Sequence, residues 1–594
     1  MKHTPKKRTA KKSKILALLC VCAAALQLTT FAGRAVADEN DPHTVTTRQR
    51  PGDEPRPTLF PPFTYESIPD INSSASSFVP VPDRWRQFYV GKWYDPYNQN
   101  IWKGDLPMFG EPGEEWFVEA SLISDTLIER RKTPTPVGFA STHSAESTDV
   151  FGNYLQTEFQ QYIIPAIAFI RGNTTFKPPE IEIRIVPVIN FNEARVEEDG
   201  ALRADPAKDN SRDDFQLGFQ ELFLDYHLIN LSNRYDFVSS RIGIQKFASD
   251  FRGFVFSSEE PGVRLFGNWA NNVYQYNLAW FSRLDKDTNS GVNTTFTGRH
   301  EQVYVANVYR QDTFALGNQV QGSIIYREDT SASHGTHYDQ NGFLVRPAAL
   351  GDERLKNVYS TYFGLNNDGH FGRINTTGSL YYVTGSESHN PIAERSVDIS
   401  AEMAAVELSY DIDWIRLRTS AFWASGDPNP YDDKGEGFDS IVDNPNFAGG
   451  DLSFFQRNSI PLIGGGGVNI VNRMSLLPDL KAGKSEGQAN FVNPGLRLVN
   501  LGVDFDVLPE LKLISNLSYL QFDEVAVLEA LRQDGSISRD IGVDLSLGGI
   551  YRPFFSNNVQ IHFGGSALVP DEGFKNLVGD KVLYNFFSDF ILQY

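Results

Sequence analysis

The chain ends with residues 582–594, VLYNFFSDFILQY, in which apolar side chains recur at every second position. One face of this segment carries Val582, Tyr584, Phe586, Phe590, Leu592 and Tyr594 and is interrupted at Ser588. The other face carries Asn585, Asp589 and Gln593, together with Phe587 and Ile591. Successive side chains of a strand point to opposite sides, so a period of two is typical of a β-strand. The sequence therefore predicts a strand with one apolar face at the C-terminus.

The same alternation recurs along the chain from about residue 115 onward. Clear examples are Glu180–Phe191, Trp414–Trp423, Arg497–Val507 and Arg539–Leu547. In Glu180–Phe191, for instance, the isoleucines at 181, 183, 185 and 189 share one face, opposite Glu182 and Arg184. Strands of about ten residues with this pattern are typical of barrels that face lipid outside and a polar lumen inside.

The predicted connections between strands alternate in length. Short turns are expected at Asp411–Asp413, Leu508–Glu510, Asn366–Gly369 and Ser556–Asn558, and long loops at 329–354, 385–396, 426–490, 523–538 and 569–579. Short periplasmic turns and long external loops are typical of outer-membrane barrels. The predicted fold is all-β: a transmembrane antiparallel β-barrel of 16–18 strands, with 18 favoured. A soluble all-β protein is the alternative.

A strand that ends in an aromatic residue at the very C-terminus resembles the closing strand of bacterial outer-membrane β-barrels. The resemblance implies a location in the outer membrane of a Gram-negative bacterium. It also implies two partners: outer-membrane lipid, and the barrel-assembly machinery, which would engage the strand that ends at Tyr594.

Four regions are predicted along the chain. Residues 1–37 contain a basic start, an apolar run and the small-x-small site Ala35–Ala37, as in a secretory signal peptide; an uncleaved anchor is the alternative. Residues 38–84 form a proline-rich leader that cannot support a packed core. Residues 85–114 are aromatic and either pack against the barrel rim or enter the lumen as a plug. Residues 115–594 form the barrel.

Composition excludes several classes of function. Both cysteines, Cys20 and Cys22, lie in the predicted signal, so the mature chain has no thiol for a disulfide, a zinc site or a haem attachment. Removing the signal's eight basic residues leaves 46 basic against 74 acidic residues, a net charge of −28. So acidic a chain is not expected to bind nucleic acid. No cofactor is expected.

Two further segments resemble a known family. Ser240–Asn268 carries R-x-G-x-Q, a bend with Arg and Phe, and then P-G-x-R; Trp423–Asp439 leaves a strand through A-S-G-D and ends in G-x-F-D. Together they are similar to outer-membrane channels of the alginate-export type. The resemblance implies an 18-stranded monomer with an arginine-rich constriction that passes a polyanionic sugar. Lumen positions here mix Arg with Asp and Glu, which departs from that pattern.

Eleven residues are predicted to line a pore: Arg184, Arg241, Gln245, Arg252, Arg264, Arg416, Arg418, Arg497, Asp504, Asp506 and Asp544. A guanidinium stays charged and presents several donors, so a ring of arginines would bind carboxylates or phosphates transiently. Alternatively, the arginines pair with acids on neighbouring strands, among them Glu182, and only neutralise one another.

The function predicted from these features is a passive channel: a porin, or an exporter of a small organic solute or anionic saccharide. A structural barrel or sheath for a partner protein is the alternative, and a hydrolase is less favoured because only His300-Glu301 and His143-Ser144 suggest one. No catalytic residue is predicted.

Two hypotheses concern the long loop 426–490. It could fold inward as a constriction through Gly464–Gly467. Asp427, Asp432, Asp433, Glu436 and Asp439 could bind calcium, although their spacing is not that of an EF-hand.

Overall fold

The structure, a computed structural model, describes residues 101–104, 107–111, 114–135, 154–172, 178–234, 236–348, 350–458, 460, 462, 468, 474–478, 480, 485–533, 535–554 and 556–594. The predicted signal peptide, the proline-rich leader and Gly464–Gly467 lie outside these residues. Residues 85–100 of the predicted aromatic segment also lie outside them.

Eighteen strands form the main sheet. They are β1 Trp116–Lys132, β2 Leu155–Arg171, β3 Ile181–Val196, β4 Ser211–Asn230, β5 Phe237–Ala248, β6 Ser257–Trp269, β7 Tyr274–Lys286, β8 Asn293–Arg310, β9 Gln319–Asp329, β10 Val358–Phe371, β11 Ile374–Asn390, β12 Arg395–Ile412, β13 Ile415–Ala424, β14 Leu496–Leu508, β15 Leu511–Gln521, β16 Asp540–Tyr551, β17 Val559–Pro570 and β18 Leu583–Gln593. The short strand Lys434–Gly435 pairs with β12, and His337–Tyr338 pairs with Leu344–Arg346 in a separate hairpin.

The sheet closes on itself. Each strand pairs antiparallel with the next strand in sequence, and β1 pairs antiparallel with β18, from Ile123 opposite Gln593 to Lys132 opposite Tyr584. This is the predicted 18-stranded antiparallel barrel, and the C-terminal segment is its closing strand as predicted. Closure leaves no strand edge unpaired along this seam, which is what a barrel needs in order to be stable in lipid.

Connections at the two ends of the barrel differ in length. At one end, here called the turn end, β10–β11, β12–β13 and β14–β15 are joined by residues 372–373, 413–414 and 509–510. At the other, the loop end, the connections include 330–357, 425–495, 522–539 and 571–582. The predicted alternation is therefore confirmed, with bounds shifted by a few residues.

Two of the predicted connections were wrong. Asn366–Gly369 lies inside β10 rather than in a turn, and 385–390 belongs to β11, so that loop shrinks to 391–394. The Asn-Asn-Asp-Gly composition suggested a turn, but the backbone stays extended past Asp368. Gly369 has φ +140°, and a Cβ there would lie 2.2 Å from the carbonyl oxygen of Gly317. Glycine is therefore required by a close strand contact and not by a turn.

The outer surface of the barrel is apolar. Side chains that alternate outward are exposed, including Leu501 and Val499 on β14, Leu365 on β10 and Phe586 on β18. Their inward neighbours, such as Asn500 and Asn585, are buried. An exposed apolar exterior around buried polar positions is the arrangement of a barrel whose solvent is lipid.

Helices occur only as short pieces of the loops among the described residues. They are α1 Phe454–Arg457, α2 Ala526–Arg532 and α3 Glu572–Leu577, with single 3₁₀ turns at Ser331–Ser333 and Gly450–Leu452. Within the described residues, no helix has the length and hydropathy needed to cross a membrane.

The hydrophobic core lies inside the barrel, towards the loop end. Two loops enter the lumen: 249–256 between β5 and β6, and 425–495 between β13 and β14. Phe256 of the first and Phe438, Phe454 and Phe491 of the second are at most 1% exposed. They pack with inward side chains of the wall such as Val383. The prediction that the long loop folds inward is confirmed for its described residues.

Candidate functional site

The lumen changes character along its length. On the inward face of β1, side-chain exposure falls from 52% at Glu119, near the turn end, to 0% at Glu129 and 4% at Arg131, near the loop end. Side chains near the turn end are therefore solvated, whereas those near the loop end are covered. The candidate site is the region where the solvated part of the lumen meets the inward loops.

The two inward loops are joined to each other by main-chain hydrogen bonds. The N–H of Ile441 donates to the carbonyl of Val255 (3.0 Å), and the N–H of Ser257 donates to that of Val442 (2.8 Å). Asn444 donates in the same way to Gly253 (2.9 Å). This strand-like contact makes residues 249–256 and the described part of 436–495 one body, here called the plug.

Helix α1 fixes the plug to the wall at two points. The Asp544 carboxylate on β16 accepts hydrogen bonds from the Ser453 hydroxyl (2.7 Å) and from the N–H of Phe455 (2.9 Å). Three strands further round the barrel, Arg457 contacts the Oε2 atom of Glu129 on β1 through two nitrogens, Nε at 2.9 Å and Nη2 at 2.8 Å. Both partners are almost completely buried, at 5% and 0% side-chain exposure, so this ion pair has little solvent screening.

A second charged layer holds the end of the loop. Arg283, Arg299 and Arg327 surround Glu301 at 2.8, 2.9 and 2.7 Å. Arg283 also donates to the Ser485 carbonyl (3.2 Å) and Arg299 to the Gly487 carbonyl (2.9 Å). These arginines therefore couple the walls β7, β8 and β9 to the descending limb of the loop at residues 485–487.

Beside the plug lies a cavity of about 410 Å³. Its wall includes Asp125 and Leu127 of β1, Tyr162 of β2, and Phe587 and Asp589 of β18. Asp451 and Arg457 of the plug and Lys286 of β7 complete its charged lining. The cavity therefore sits between the barrel seam and α1, next to the solvated part of the lumen.

The charged side chains that line this cavity differ in whether they already have an ion-pair partner. Arg457 is paired with Glu129, and Lys286 lies 3.4 Å from Glu260 and donates to the Asn293 side chain. In contrast, none of Asp125, Asp451 and Asp589 forms an ion pair with a described residue, although Asp125 and Asp589 are hydrogen-bonded to each other and so share a proton. The charge that remains free to meet a solute is therefore negative.

Arg184 and Arg241, two of the predicted pore-lining residues, do face the lumen near the turn end. Arg184 lies 2.8 Å from Glu182, 3.6 Å from Glu119 and 3.7 Å from Glu221, and its side chain is 31% exposed. Arg241 lies 2.8 Å from Asp225 and stacks over Phe223. Both arginines are thus neutralised by acids on their own or adjacent strands.

Gln245, Arg252 and Arg264 have structural partners. Gln245 is fully buried, and its amide donates to main-chain carbonyls including that of Gly262, at the long distance of 3.4 Å. Arg264 donates to Asn277 (2.7 Å) and stacks over Phe266. Arg252, on the plug, reaches Glu407 on β12 at 3.1 Å. These residues are brought into the lumen but support the wall and the plug.

The predicted pore residues on β13 and β14 are likewise either paired inside the lumen or exposed near the turn end. Arg418 contacts Asp504 at 2.7 Å, and Lys512 lies 3.2 Å from the same carboxylate. Arg416 pairs with Asp411 at the turn end and is 45% exposed. Asp506 is exposed close to the turn end. Asp544, also predicted to line the pore, instead accepts hydrogen bonds from Ser453 and Phe455 at the start of α1.

The prediction for Arg497 was wrong. Along β14, Arg497 has the same parity as Val499 and Leu501, each 57% exposed on the outer surface. Its guanidinium reaches Asp523, 2.7 Å away in the following loop-end connection. Strict alternation fixes the side of every residue once Leu501 is placed outward, so Arg497 cannot line the lumen.

Sequence reasoning missed Glu129, Arg457 and Glu301, which hold the plug. Glu129 lies on the lumen-facing side of β1, opposite the apolar outward residues such as Ile128. The alternation of side chains along β1 could therefore have identified it as a lumen residue. The sequence of the loop carries no comparable signal for Arg457, because its pairing depends on how the loop crosses the lumen. Glu301 was considered only as part of His300-Glu301; its neighbour His300 stacks on His334, with ring centroids 3.4 Å apart.

The acidic loop of the calcium hypothesis uses its carboxylates for turns. Asp427 accepts the N–H of Asn429 (2.8 Å) and of Glu436 (3.2 Å), and Asp439 accepts that of Asn490 (2.8 Å). Burial raises the pKa of Asp427 to about 7 despite these hydrogen bonds. Among the residues that the structure describes, no cluster of three or more His, Cys, Asp and Glu could hold a metal ion.

Comparison with known proteins gives a likeness of shape only. No family model matches the sequence, and no curated protein matches it. Crystal structures from Pseudomonas aeruginosa are similar in outline: OccK9 (OpdG) has 10% identity and a TM-score of 0.43, and OpdQ has 9% and 0.42, each alignment covering 80% of this chain and 98% of the other. The outer membrane protein OprD has 9% identity and a TM-score of 0.41, with 80% and 94% covered. Values this low assign neither function nor solute.

Proposed function

We propose that this chain is an outer-membrane channel of a Gram-negative bacterium that passes small hydrophilic solutes. The observation that carries the proposal is a closed barrel with an apolar exterior whose solvated, charged lumen adjoins a polar cavity of about 410 Å³. A protein that served only as a membrane anchor would not need charged residues along a solvated lumen. Channels use such residues to select what enters.

The preferred solutes are cationic or neutral. The arginines of the lumen are matched by carboxylates at 2.7–3.1 Å, as with Arg241 and Asp225, Arg418 and Asp504, and Arg252 and Glu407. The cavity adds Asp451, which has no ion-pair partner among the described residues, and the pair Asp125 and Asp589, whose carboxyl groups are hydrogen-bonded to each other. The expected selectivity is therefore for cations, the reverse of what an arginine-rich constriction for a polyanionic sugar would give. For this reason the solute class is not taken from the resemblance to alginate-export channels.

The test is conductance in a planar bilayer under a salt gradient. The refolded chain is expected to give stable steps with a reversal potential that indicates cation preference. Replacing Asp451 with Asn removes an exposed carboxylate from the lining of the cavity and is expected to weaken that preference. Glu328→Gln, a change on the outward face of β9, is the matched control and should leave it unaltered. Anion preference in the unmodified chain would refute this solute class.

A second function is favoured by the packing of the plug. Because apolar side chains such as Phe454 and Phe491 are completely buried in the lumen, the barrel is also suited to a closed scaffold that holds a partner protein. Bilayer recordings distinguish the two proposals. A folded chain that remains silent, and stays silent when the plug is released by Glu129→Gln, would support the scaffold.

A further inference from the structure

A basic patch lies on the outer surface of the barrel, beside the seam and towards the loop end. On β1, Arg130 is exposed between two neighbours that are buried in the lumen, so alternation places its side chain outside. Lys132, two residues further towards the loop end, lies on the same side of β1. On β3, Arg195 is likewise exposed between two buried neighbours, and 69% of its side chain is accessible.

The register of the sheet brings these three cations together. Thr157 of β2 is exposed and lies opposite Arg130 on one side and opposite Arg195 on the other. Neighbouring strands lie about 4.8 Å apart, so the Cα atoms of Arg130 and Arg195 are separated by roughly 10 Å. Lys132 is about 7 Å along the strand from Arg130. Three long side chains can therefore reach one group that lies outside Thr157.

Most of the positive charge of the patch is not compensated. Arg130 and Lys132 form no ion pair with another described residue. Arg195 pairs with Glu193 on its own strand, and the exposed Asp213 of β4 lies opposite Glu193, on the far side of the patch from β1. The β1 side of the patch therefore keeps its positive charge, in a chain whose formal net charge is −20.

The outer surface becomes apolar directly next to the patch, in the direction of the turn end. Ile128 of β1, Phe159 of β2 and Phe191 of β3 are all exposed there. Phe586 of β18, which lies opposite Arg130 across the seam, is 63% exposed. Long loops of outer-membrane barrels are external. The patch therefore sits where the apolar band of the barrel meets the outer aqueous side, which is the level of the lipid head groups.

We propose that this basic patch binds an outer-leaflet lipid whose head group carries phosphate. The guanidinium groups of Arg130 and Arg195 and the ammonium group of Lys132 donate hydrogen bonds to the phosphate oxygens. The acyl chains of the same lipid cover Ile128 and Phe159. Lipid binding at this patch does not depend on what passes through the lumen.

Other outward arginines at the loop end do not offer the same site. Arg497 lies 2.7 Å from Asp523, and Arg539 lies 2.7 Å from Glu524. Each of these guanidinium groups already has a carboxylate partner, which a lipid phosphate would have to displace. The patch on β1 and β3 is favoured because two of its three cations need no such exchange.

Lipid binding by the folded, detergent-solubilised chain tests the proposal. The dissociation constant for lipopolysaccharide, immobilised on a sensor surface, is measured for the native chain and for the triple variant Arg130→Gln, Lys132→Gln and Arg195→Gln. Each basic residue near an anionic lipid surface contributes about a fivefold factor in binding. The triple variant should therefore bind roughly 10²-fold more weakly. Heat-modifiable gel mobility confirms that each variant has folded.

A matched control removes the same number of charges elsewhere on the surface. It replaces Arg354, Arg416 and Arg539 with Gln, whose side chains are 71%, 45% and 45% exposed. This control should bind lipopolysaccharide nearly as well as the native chain. A second control uses lipopolysaccharide from which the phosphates have been removed, and the native chain should bind it about as weakly as the patch variant binds the intact lipid.

Two results would overturn lipid recognition at the patch. Equal weakening in the two triple variants would mean that the lipid responds only to net charge. Undiminished binding of the dephosphorylated lipid would mean that the acyl chains adsorb to the apolar band without any recognition of phosphate.

Discussion

Replacing Glu129 with Gln should release the plug from the wall of the barrel. The variant keeps an oxygen that can accept the hydrogen bond from Asn585, which lies 2.9 Å from Oε1 in the native protein. It removes the charge that faces Arg457, whose side chain is 5% exposed and would remain buried without its carboxylate partner. Removing one partner of a buried ion pair costs about 3–5 kcal/mol.

The expected effect on the plug follows from that magnitude. About 1.4 kcal/mol corresponds to a factor of ten, so the ratio of docked to released plug should fall by roughly 10² to 10⁴. The assay is single-channel recording together with limited proteolysis of the long loop in folded protein. Larger or more frequent conductance steps and faster cleavage are expected.

A second variant separates charge from packing. In the double variant Glu129→Gln with Arg457→Met, the orphaned guanidinium is replaced by an apolar side chain that can still pack on Phe587, the ring over which Arg457 lies at 3.9 Å. Replacing a whole buried pair is often neutral, so the double variant should recover most of the docking. If the single variant behaves like the native chain, or the double variant is worse than the single one, the reasoning is refuted.

Three other predictions follow from the structure. Burial and the nearby carboxylates of Asp339 and Asp285 raise the pKa of Glu486 to about 8. When residues 485–487 are released from the lumen, the pKa of Glu486 returns to its ordinary value of about 4.5. Docking of residues 485–487 is therefore strongest below pH 4.5. It should weaken by up to about 1.4 kcal/mol per pH unit until pH 8, and Glu486→Gln should flatten this dependence in pH-dependent proteolysis. Arg418→Met combined with Asp504→Asn should lower thermal stability but leave the reversal potential nearly unchanged, because the two charges already neutralise each other at 2.7 Å. A large shift of the reversal potential in this double variant would make the pair part of the selectivity filter. Gly369→Ala should lower the folded yield and melting temperature through its clash with the Gly317 carbonyl, whereas Gly322→Ala, which meets nothing within 4 Å, should not.

The sequence by itself determined the class of fold. Alternation in Glu180–Phe191 and Arg497–Val507 predicted β3 and β14 because a strand has only two sides, and lipid on one of them demands apolar residues there. The last strand was assigned on the same ground, and its outward residues are exposed as expected. The turn signal at Asn366–Gly369 misled because glycine serves both a turn and a close strand contact, and local sequence does not distinguish them.

Only the tertiary structure decided how the lumen is used. Alternation places Arg184, Arg241 and Arg418 inward, but whether an inward arginine is free or neutralised depends on which acid the barrel's register sets beside it. The pairing of Arg457 with Glu129 joins residues 328 positions apart and depends on the path of a long loop through the lumen. Periodicity is a local property of the chain, whereas charge compensation in a closed barrel is set by register and loop packing, which no single segment encodes.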